Sequence, residues 1–132
     1  MDLYKRALDA AGKPFPAELP MRREVFVAKT REEAIRLCRP FLGAKYAAYH
    51  SWRQDMPDDD RGLGQDFEDL MQDRFIIGSP DEVAEQMIAL HKRVGANHIV
   101  MSTEWAGMAE SLAVETIEML ATEVFPRVRQ GL

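Results

Sequence analysis

The sequence predicts an α/β protein built on a parallel sheet. Three observations carry this: short, mostly apolar strand segments alternate with longer helical patterns, each strand is followed by a helix-start signal, and no strand shows the strict polar alternation of a half-solvated antiparallel sheet. The segments are Glu24 to Ala28 (EVFVA), Arg74 to Gly78 (RFIIG) and His98 to Thr103 (HIVMST). The predicted order is α-β-α-(α)-β-α-β-α, with right-handed crossovers.

Residues 2–11 form the first helix, with Leu3, Ala7, Leu8 and Ala11 on one side and Gly12 as its stop. Pro14, Pro16 and Pro20 then punctuate an extended crossing into the first strand. Thr30 and Glu33 stand at the spacing of a capping box, so a helix runs from Arg31 to about His50 with Ala34, Cys38, Phe41 and Lys45 at helical spacing. Pro40 inside it is expected to kink or split it. The stretch DMPDDDRGLGQDFEDLMQDR holds Pro57, Gly62 and Gly64 and reads as a solvated acidic connection at about 53–65, with a short helix near Asp66 to Gln72. An exposed loop explains that acidic run better than a cation site does.

The next helix has a strong start signal: Ser79 as N-cap, Pro80 at the first helical position and Glu82 to close the box. Val83, Met87, Leu90 and Val94 face inward, and Gly95 ends the helix. After the third strand and Trp105-Ala106-Gly107, a last helix is expected from about Met108 to Arg129. Its stripe is Ala113, Ile117, Leu120 and Val124, and Pro126 is placed to end it early.

Composition narrows the function classes. The chain has 132 residues, 46% hydrophobic and 30% charged, which suits one folded domain. A net charge of −5 disfavours nucleic-acid binding by phosphate neutralisation. The first 54 residues are basic, with 11 Lys/Arg against 6 Asp/Glu, whereas residues 55–74 carry 2 against 8 and residues 75–132 carry 4 against 8. No stretch is apolar enough to span a membrane and no signal peptide is evident, so the expectation is a soluble, cytoplasmic protein. The single cysteine, Cys38, excludes an internal disulfide and any multi-cysteine metal site.

No self-contained catalytic motif is present: no G-x-S-x-G, H-E-x-x-H, P-loop or strand-borne G-x-G-x-x-G. His50, His91 and His98 are scattered and are expected to be structural; Cys38, Met87, Met101 and Met119 are expected to fill the core. In parallel β/α folds, sites gather at the carboxyl ends of the strands. That selects Lys29-Thr30, Gly78-Ser79 and the run from Ser102 to Gly107. Gly78 and Ser79 open a helix N-terminus, where an anion could sit, although Ser79 as a simple cap explains them better. Trp105 at the mouth of the sheet suggests a pocket wall, with packing against a neighbouring loop nearly as well supported. Glu104 beside it could hydrogen-bond a ligand or face water.

The ordered pieces resemble the end of bacterial luciferase-like monooxygenases. Arg74 to Gln86 (RFIIGSPDEVAEQ) and Gly95 to Met101 (GANHIVM) are similar to a stretch "IG-S/T-P-E/D-E-V-A-E" leading through a helix to "G-V-x-H/D" and a strand. Trp105-Ala106-Gly107-Met108 fits that family's "W-x-G-M" loop, with Ala106 where proline is common. Leu19 to Ala28 and the helix of Arg31 to Tyr49 look like the same family, so the resemblance covers nearly the whole chain.

The resemblance implies a (β/α)8 TIM barrel that binds FMN or the deazaflavin F420 for oxygenation or hydride transfer on a small-molecule substrate. It also implies a deficit, because a barrel needs about 250 residues and eight strands, and this chain supplies about strands 6 to 8 as a single partial domain over 1–132. The expected function is a C-terminal fragment of such an oxidoreductase, inactive alone. The alternative is a non-catalytic half-barrel module for interaction or oligomerisation. Gly78, Ser79, Thr103, Glu104 and Trp105 are the candidate cofactor- or substrate-binding residues. Two sheet edges and an inner barrel face left uncovered imply a homo-oligomer or pairing with a missing N-terminal half.

Overall fold

The structure, a computed structural model, describes residues 1–54 and 62–132; the acidic connection expected at about 53–65 therefore lies mostly outside the described residues. The elements are α1 (Asp2–Ala10), β1 (Pro20–Val27), α2 (Arg31–Ser51), α3 (Phe67–Arg74), β2 (Phe75–Gly78), α4 (Pro80–Val94), β3 (His98–Ser102), α5 (Glu110–Met119), a π-turn (Leu120–Val124) and α6 (Phe125–Gly131). This is the predicted α/β order. Among the described residues, no helix is long and apolar enough to cross a membrane.

The three strands form one parallel sheet in the order β2-β1-β3. Consecutive barrel strands would lie side by side in chain order, so the central place of β1 is a feature that periodicity did not reveal. Its physical basis is in the crossovers. The path from β1 to β2 moves one way across the sheet and the path from β2 to β3 moves the other, so a single handedness puts α2 and α4 on opposite faces.

Each face has its own core. Phe26 and Ala28 of the β1 segment join Phe75 and Ile77 of β2 against Ala34, Cys38 and Leu42 of α2, Leu70 and Met71 of α3, and Trp105 and Met108. On the other face Val25, Val27 and Ile76 meet Val83, Met87 and Leu90 of α4 and Leu120 and Val124 of the π-turn. The alternation of side chains along β1 thus feeds both layers, which is why Val25 to Ala28 are apolar without a break. The inner face expected to stand uncovered is covered from Glu24 upward; below it Arg22, His98 and Val100 are exposed.

The strands are staggered. Val27 pairs with Gly78, but the last β3 residue, Ser102, is level with Glu24, about 10 Å lower at the rise of a strand. Above that point the Val27 N–H and C=O have no strand partner on that side. The Thr116 hydroxyl of α5, fully buried, takes both at 3.4 and 3.2 Å. A strand bond is replaced there by a side chain.

Several local expectations need correction. β1 begins at Pro20, not Glu24, because Pro20 to Glu24 pair with β3. Helix α2 passes Pro40 without a break, since Ala34 and Cys38 before it and Leu42 after it are all anchored on one core. The Thr30 cap is half a box: Thr30 Oγ1 accepts the Glu33 N–H at 3.2 Å, while the Glu33 carboxylate turns to Arg36 instead. No residue of α1 is buried, and Leu3 is 75% exposed. The last helix does not stop at Pro126 but is interrupted before it by the π-turn, and Pro126 opens α6. Ile117 is 53% exposed rather than part of the stripe; Ala113, Thr116, Leu120 and Val124 are the buried positions.

Candidate functional site

Gly78 and Ser79 lie where β2 turns into α4. The capping box is complete: Glu82 N–H donates to Ser79 Oγ at 3.4 Å, and the Glu82 carboxylate accepts from the Ser79 N–H at 2.9 Å and the Ser79 hydroxyl at 2.8 Å. The Ser79 backbone N–H is the main reason the Glu82 carboxyl is held below its ordinary range. The anion that this helix N-terminus favours is therefore its own side chain. Gly78 makes room for it, because a Cβ there would stand 2.9 Å from Glu82 Oε2.

Trp105 is 5% exposed. Its ring packs on Phe26 at a centroid distance of 6.0 Å, and Nε1 donates to Glu24 Oε2 at 2.7 Å. The loop turns back at once, with Met108 N–H donating to Trp105 C=O at 3.0 Å, and Gly107 at φ +85° occupies left-handed backbone that favours glycine. Thr103 is half-buried and Glu104 exposed.

The partner of Trp105, Glu24, is a residue that sequence reasoning missed. It is a carboxylate 4% exposed in the middle of the sheet. Lys45 Nζ sits 2.6 Å from its Oε1, and Arg22 Nη2 lies 3.9 Å from the same oxygen. Tyr46 is packed nearby on Phe75; burial pushes its phenol up to about 12, with the Glu24 charge adding to the shift. Lys45 also lies 5.6 Å from the Tyr49 ring. The one signal in the sequence is an acidic residue at an inward position of a strand, two residues before Phe26, for which a buried cation had to be found.

The structure does not join the two predicted segments. No hydrogen bond links residues 78–79 with residues 103–105 among the described residues, and the buried polar side-chain atoms there are all partnered. A groove of about 650 Å3 lies beyond the outer edge of β2, between Arg31, Met71, Glu82 and Gln86, and a second of about 490 Å3 lies between α1 and the end of α4. Neither is lined by Trp105. Among the described residues no group of three or more metal-ligating side chains converges. His91 is spent on the α4 turn, with Nδ1 2.9 Å from the Ala96 carbonyl. Burial pushes the Cys38 thiol up to about 12, so it is no ready nucleophile.

No protein-family model matches the sequence, and no curated protein matches it. Solved structures do match the fold. The chain superposes on the oxygenating constituent of 3,6-diketocamphane monooxygenase from Pseudomonas putida, a type II Baeyer-Villiger monooxygenase in complex with FMN. The TM-score is 0.67 at 24% identity, over 96% of this chain and 38% of that one. It also matches monooxygenase RslO1 from Streptomyces bottropensis, with a TM-score of 0.63 at 20% identity over 95% and 36% of the two chains. The third is MsnO8 in its apo form, with a TM-score of 0.59 at 22% identity over 92% and 41%. The chain thus has the fold of part of these TIM-barrel structures and spans about two fifths of their length.

The residues present here do not by themselves fit a flavin. The Ser79 N–H and hydroxyl already hold Glu82, and Trp105 has its N–H on Glu24 and its ring buried. At these two positions neither a phosphate grip nor an open aromatic wall remains.

Proposed function

We propose that this chain is the C-terminal part of a luciferase-like, flavin- or F420-dependent oxidoreductase, and that it is inactive as an isolated chain. The fold match to three monooxygenase structures at about two fifths of their length supports the first half. The pre-empted donors of Ser79 and Trp105 support the second. In the whole protein, Gly78, Ser79, Thr103, Glu104 and Trp105 form part of the rim at the strand ends. Thr103 and Glu104 have side chains accessible for cofactor or substrate, while Gly78, Ser79 and Trp105 shape the wall. The substrate is a small molecule, the setting cytoplasmic, and neither nucleic acid nor membrane is engaged.

Fluorescence titration with oxidised and reduced FMN tests this. The isolated chain is expected to show no saturable binding, and a micromolar dissociation constant would overturn the inactivity.

A second reading has its own support. Both faces of the upper sheet are covered, and the buried polar atoms among the described residues are satisfied, as in a unit that folds for its own sake. In that reading the chain is a non-catalytic interaction module. An adjacent upstream frame encoding strands 1 to 5 favours the enzyme part; an isolated gene favours the module.

A further inference from the structure

The two edges of the sheet are finished differently. Ala28 N–H donates to the Gly78 carbonyl, so Gly78 and Ile76 face β1 and Ile77 faces outward. The outward Ile77 carbonyl accepts from Arg31 Nη1 at 3.2 Å and from Gln86 Nε2 at 3.1 Å. A strand adding at β2 has to displace both side chains.

The β3 edge is open. By the same alternation Met21 and Arg23 of β1 turn their backbone toward β3, which leaves the N–H and C=O of Ile99 and Met101 pointing away from the sheet. Among the described residues no hydrogen bond takes them up. Val100 between them is 49% exposed, and the strand HIVMS has no lysine or proline to guard it. Above Ser102, helix α5 takes the place of a strand beside β1, with Thr116 on Val27. Its Val114 and Ile117, about 160° and 100° around the helix from Thr116, are 45% and 53% exposed.

We infer that the β3 edge is the interface of a two-fold homodimer, in which β3 pairs antiparallel with β3 of a second copy. The inference deepens the reading of this chain as an interaction module, on which it rests, by naming the partner. With β2 sealed, an open edge finds its match only in the same edge of another copy, so the assembly closes at two and does not grow into a fibre. The outward groups fix the register. Ile99 of each copy faces Met101 of the other as a hydrogen-bonded pair. Val100 then meets Val100 on the axis as a non-hydrogen-bonded pair, with Cα atoms about 4.5 Å apart and side chains in contact.

Charge fits this orientation. Thr116 is level with Val27, five residues above the β1 partner of Val100, and so about 16 Å above the axis. The two-fold sets α5 of each copy the same distance below it. There it lies beside the foot of the other copy's β3, where Asn97 Nδ2 holds the crossing by the Ala17 carbonyl. From Thr103 to Val124 the upper flank holds Glu104, Glu110, Glu115, Glu118 and Glu123 and no Lys or Arg. The lower end is basic: residues 1–23 carry 5 Lys/Arg against 3 Asp/Glu, and residues 91–98 add Lys92 and Arg93 with no acid. Antiparallel pairing therefore brings acidic flank to basic foot twice over. A pair of five-residue strands alone falls short of the roughly 1,600 Å2 of a stable interface, and the cover of Val114 and Ile117 adds to it.

Sedimentation of the intact chain up to about 100 μM is expected to show a dimer. V100K sets two like charges against each other on the axis and should return it to monomer. V100C reads the register, because the Cα separation on the axis suits a disulfide. With oxidised glutathione as the oxidant, the two new thiols form one intermolecular bond and the glutathione disulfide leaves as two thiols. V114C is the control, as exposed as Val100 but about 30 Å from its own copy. V100C should cross-link about a hundredfold faster, since the interface holds its pair at a millimolar effective concentration. Cys38 is fully buried and does not compete. A monomer at every concentration overturns the inference. So does a dimer indifferent to V100K, or one in which V114C cross-links as fast as V100C. V100K changes an exposed side chain, and its melting when dilute should match the parent's; if it fails to fold, V100C against V114C decides. FMN binding by the cross-linked dimer would overturn the module reading and leave the interface standing.

Discussion

Substituting Lys45 by methionine isolates the contribution of the buried ion pair to the fold. Lys45 Nζ lies 2.6 Å from Glu24 Oε1, with side-chain exposures of 17% and 5%. Methionine keeps the stem of the lysine and removes the charge, leaving a carboxylate buried with the Trp105 N–H as its close donor. Breaking a buried pair from one side costs about 3–5 kcal/mol, because the remaining charge is neither solvated nor compensated. Lys45 retains some access to water, and water entering its place relieves part of this, so the lower end, about 3 kcal/mol, is expected. That is a large fraction of the roughly 5–15 kcal/mol that holds a domain of this size together, and corresponds to a fall in Tm of about 12 °C.

The double variant decides whether the pair itself is responsible. E24Q alone leaves Lys45 able to reach solvent and should cost about 1 kcal/mol. E24Q/K45M removes both charges, and its loss should be about 2 kcal/mol, smaller than the sum of the singles by a similar amount. Urea unfolding followed by tryptophan fluorescence and by far-UV circular dichroism measures all four proteins. Additivity within about 0.5 kcal/mol would refute a direct coupling between Glu24 and Lys45.

Two further outcomes follow from other buried groups. Thr116→Val keeps the shape of the side chain but strips the Val27 N–H and C=O of their hydroxyl partner; a loss of about 2 kcal/mol is expected in urea unfolding, with Thr116→Ser close to the parent. Burial raises both the Cys38 thiol and the Tyr46 phenol to about 12 from ordinary values of 9.0 and 10.0, so their unfolded forms release protons first. Stability should hold up to about pH 9 and fall between there and 12, and a denaturation midpoint flat across that range would contradict it.

What could be read in advance divides by the range of the interaction. The box of Ser79 and Glu82, the stop at Gly95 and the inward Val83, Met87 and Leu90 are set by residues within a turn or two of one another, and they stand as expected. Strand order is not local: RFIIG and HIVMST carry the same signal, and only the directions of their crossovers place them on opposite sides of β1. The exposure of Ile117 likewise escaped periodicity, because Thr116 rather than a larger apolar residue was required at the edge of β1. At the site, the position of Trp105 behind β3 was legible. Its partner was not, since 81 residues separate Trp105 from Glu24 and a carboxylate in a strand has no periodic signature.

That same partner is one of several side chains by which the chain satisfies its own buried and edge polar groups. Trp105, whose ring would otherwise be free to line a pocket, is turned inward by a charged hydrogen bond and closes one face over Phe26. Glu82 does the same at the head of α4, occupying the place an anion would take. Thr116 finishes the upper edge of β1, and Arg31 with Gln86 finishes β2. Each satisfies polar groups that would otherwise stand unpaired. Among the described residues the β3 edge has no such finish, and a strand edge that is left unsealed while its opposite is sealed from both sides is where another strand can add at least cost.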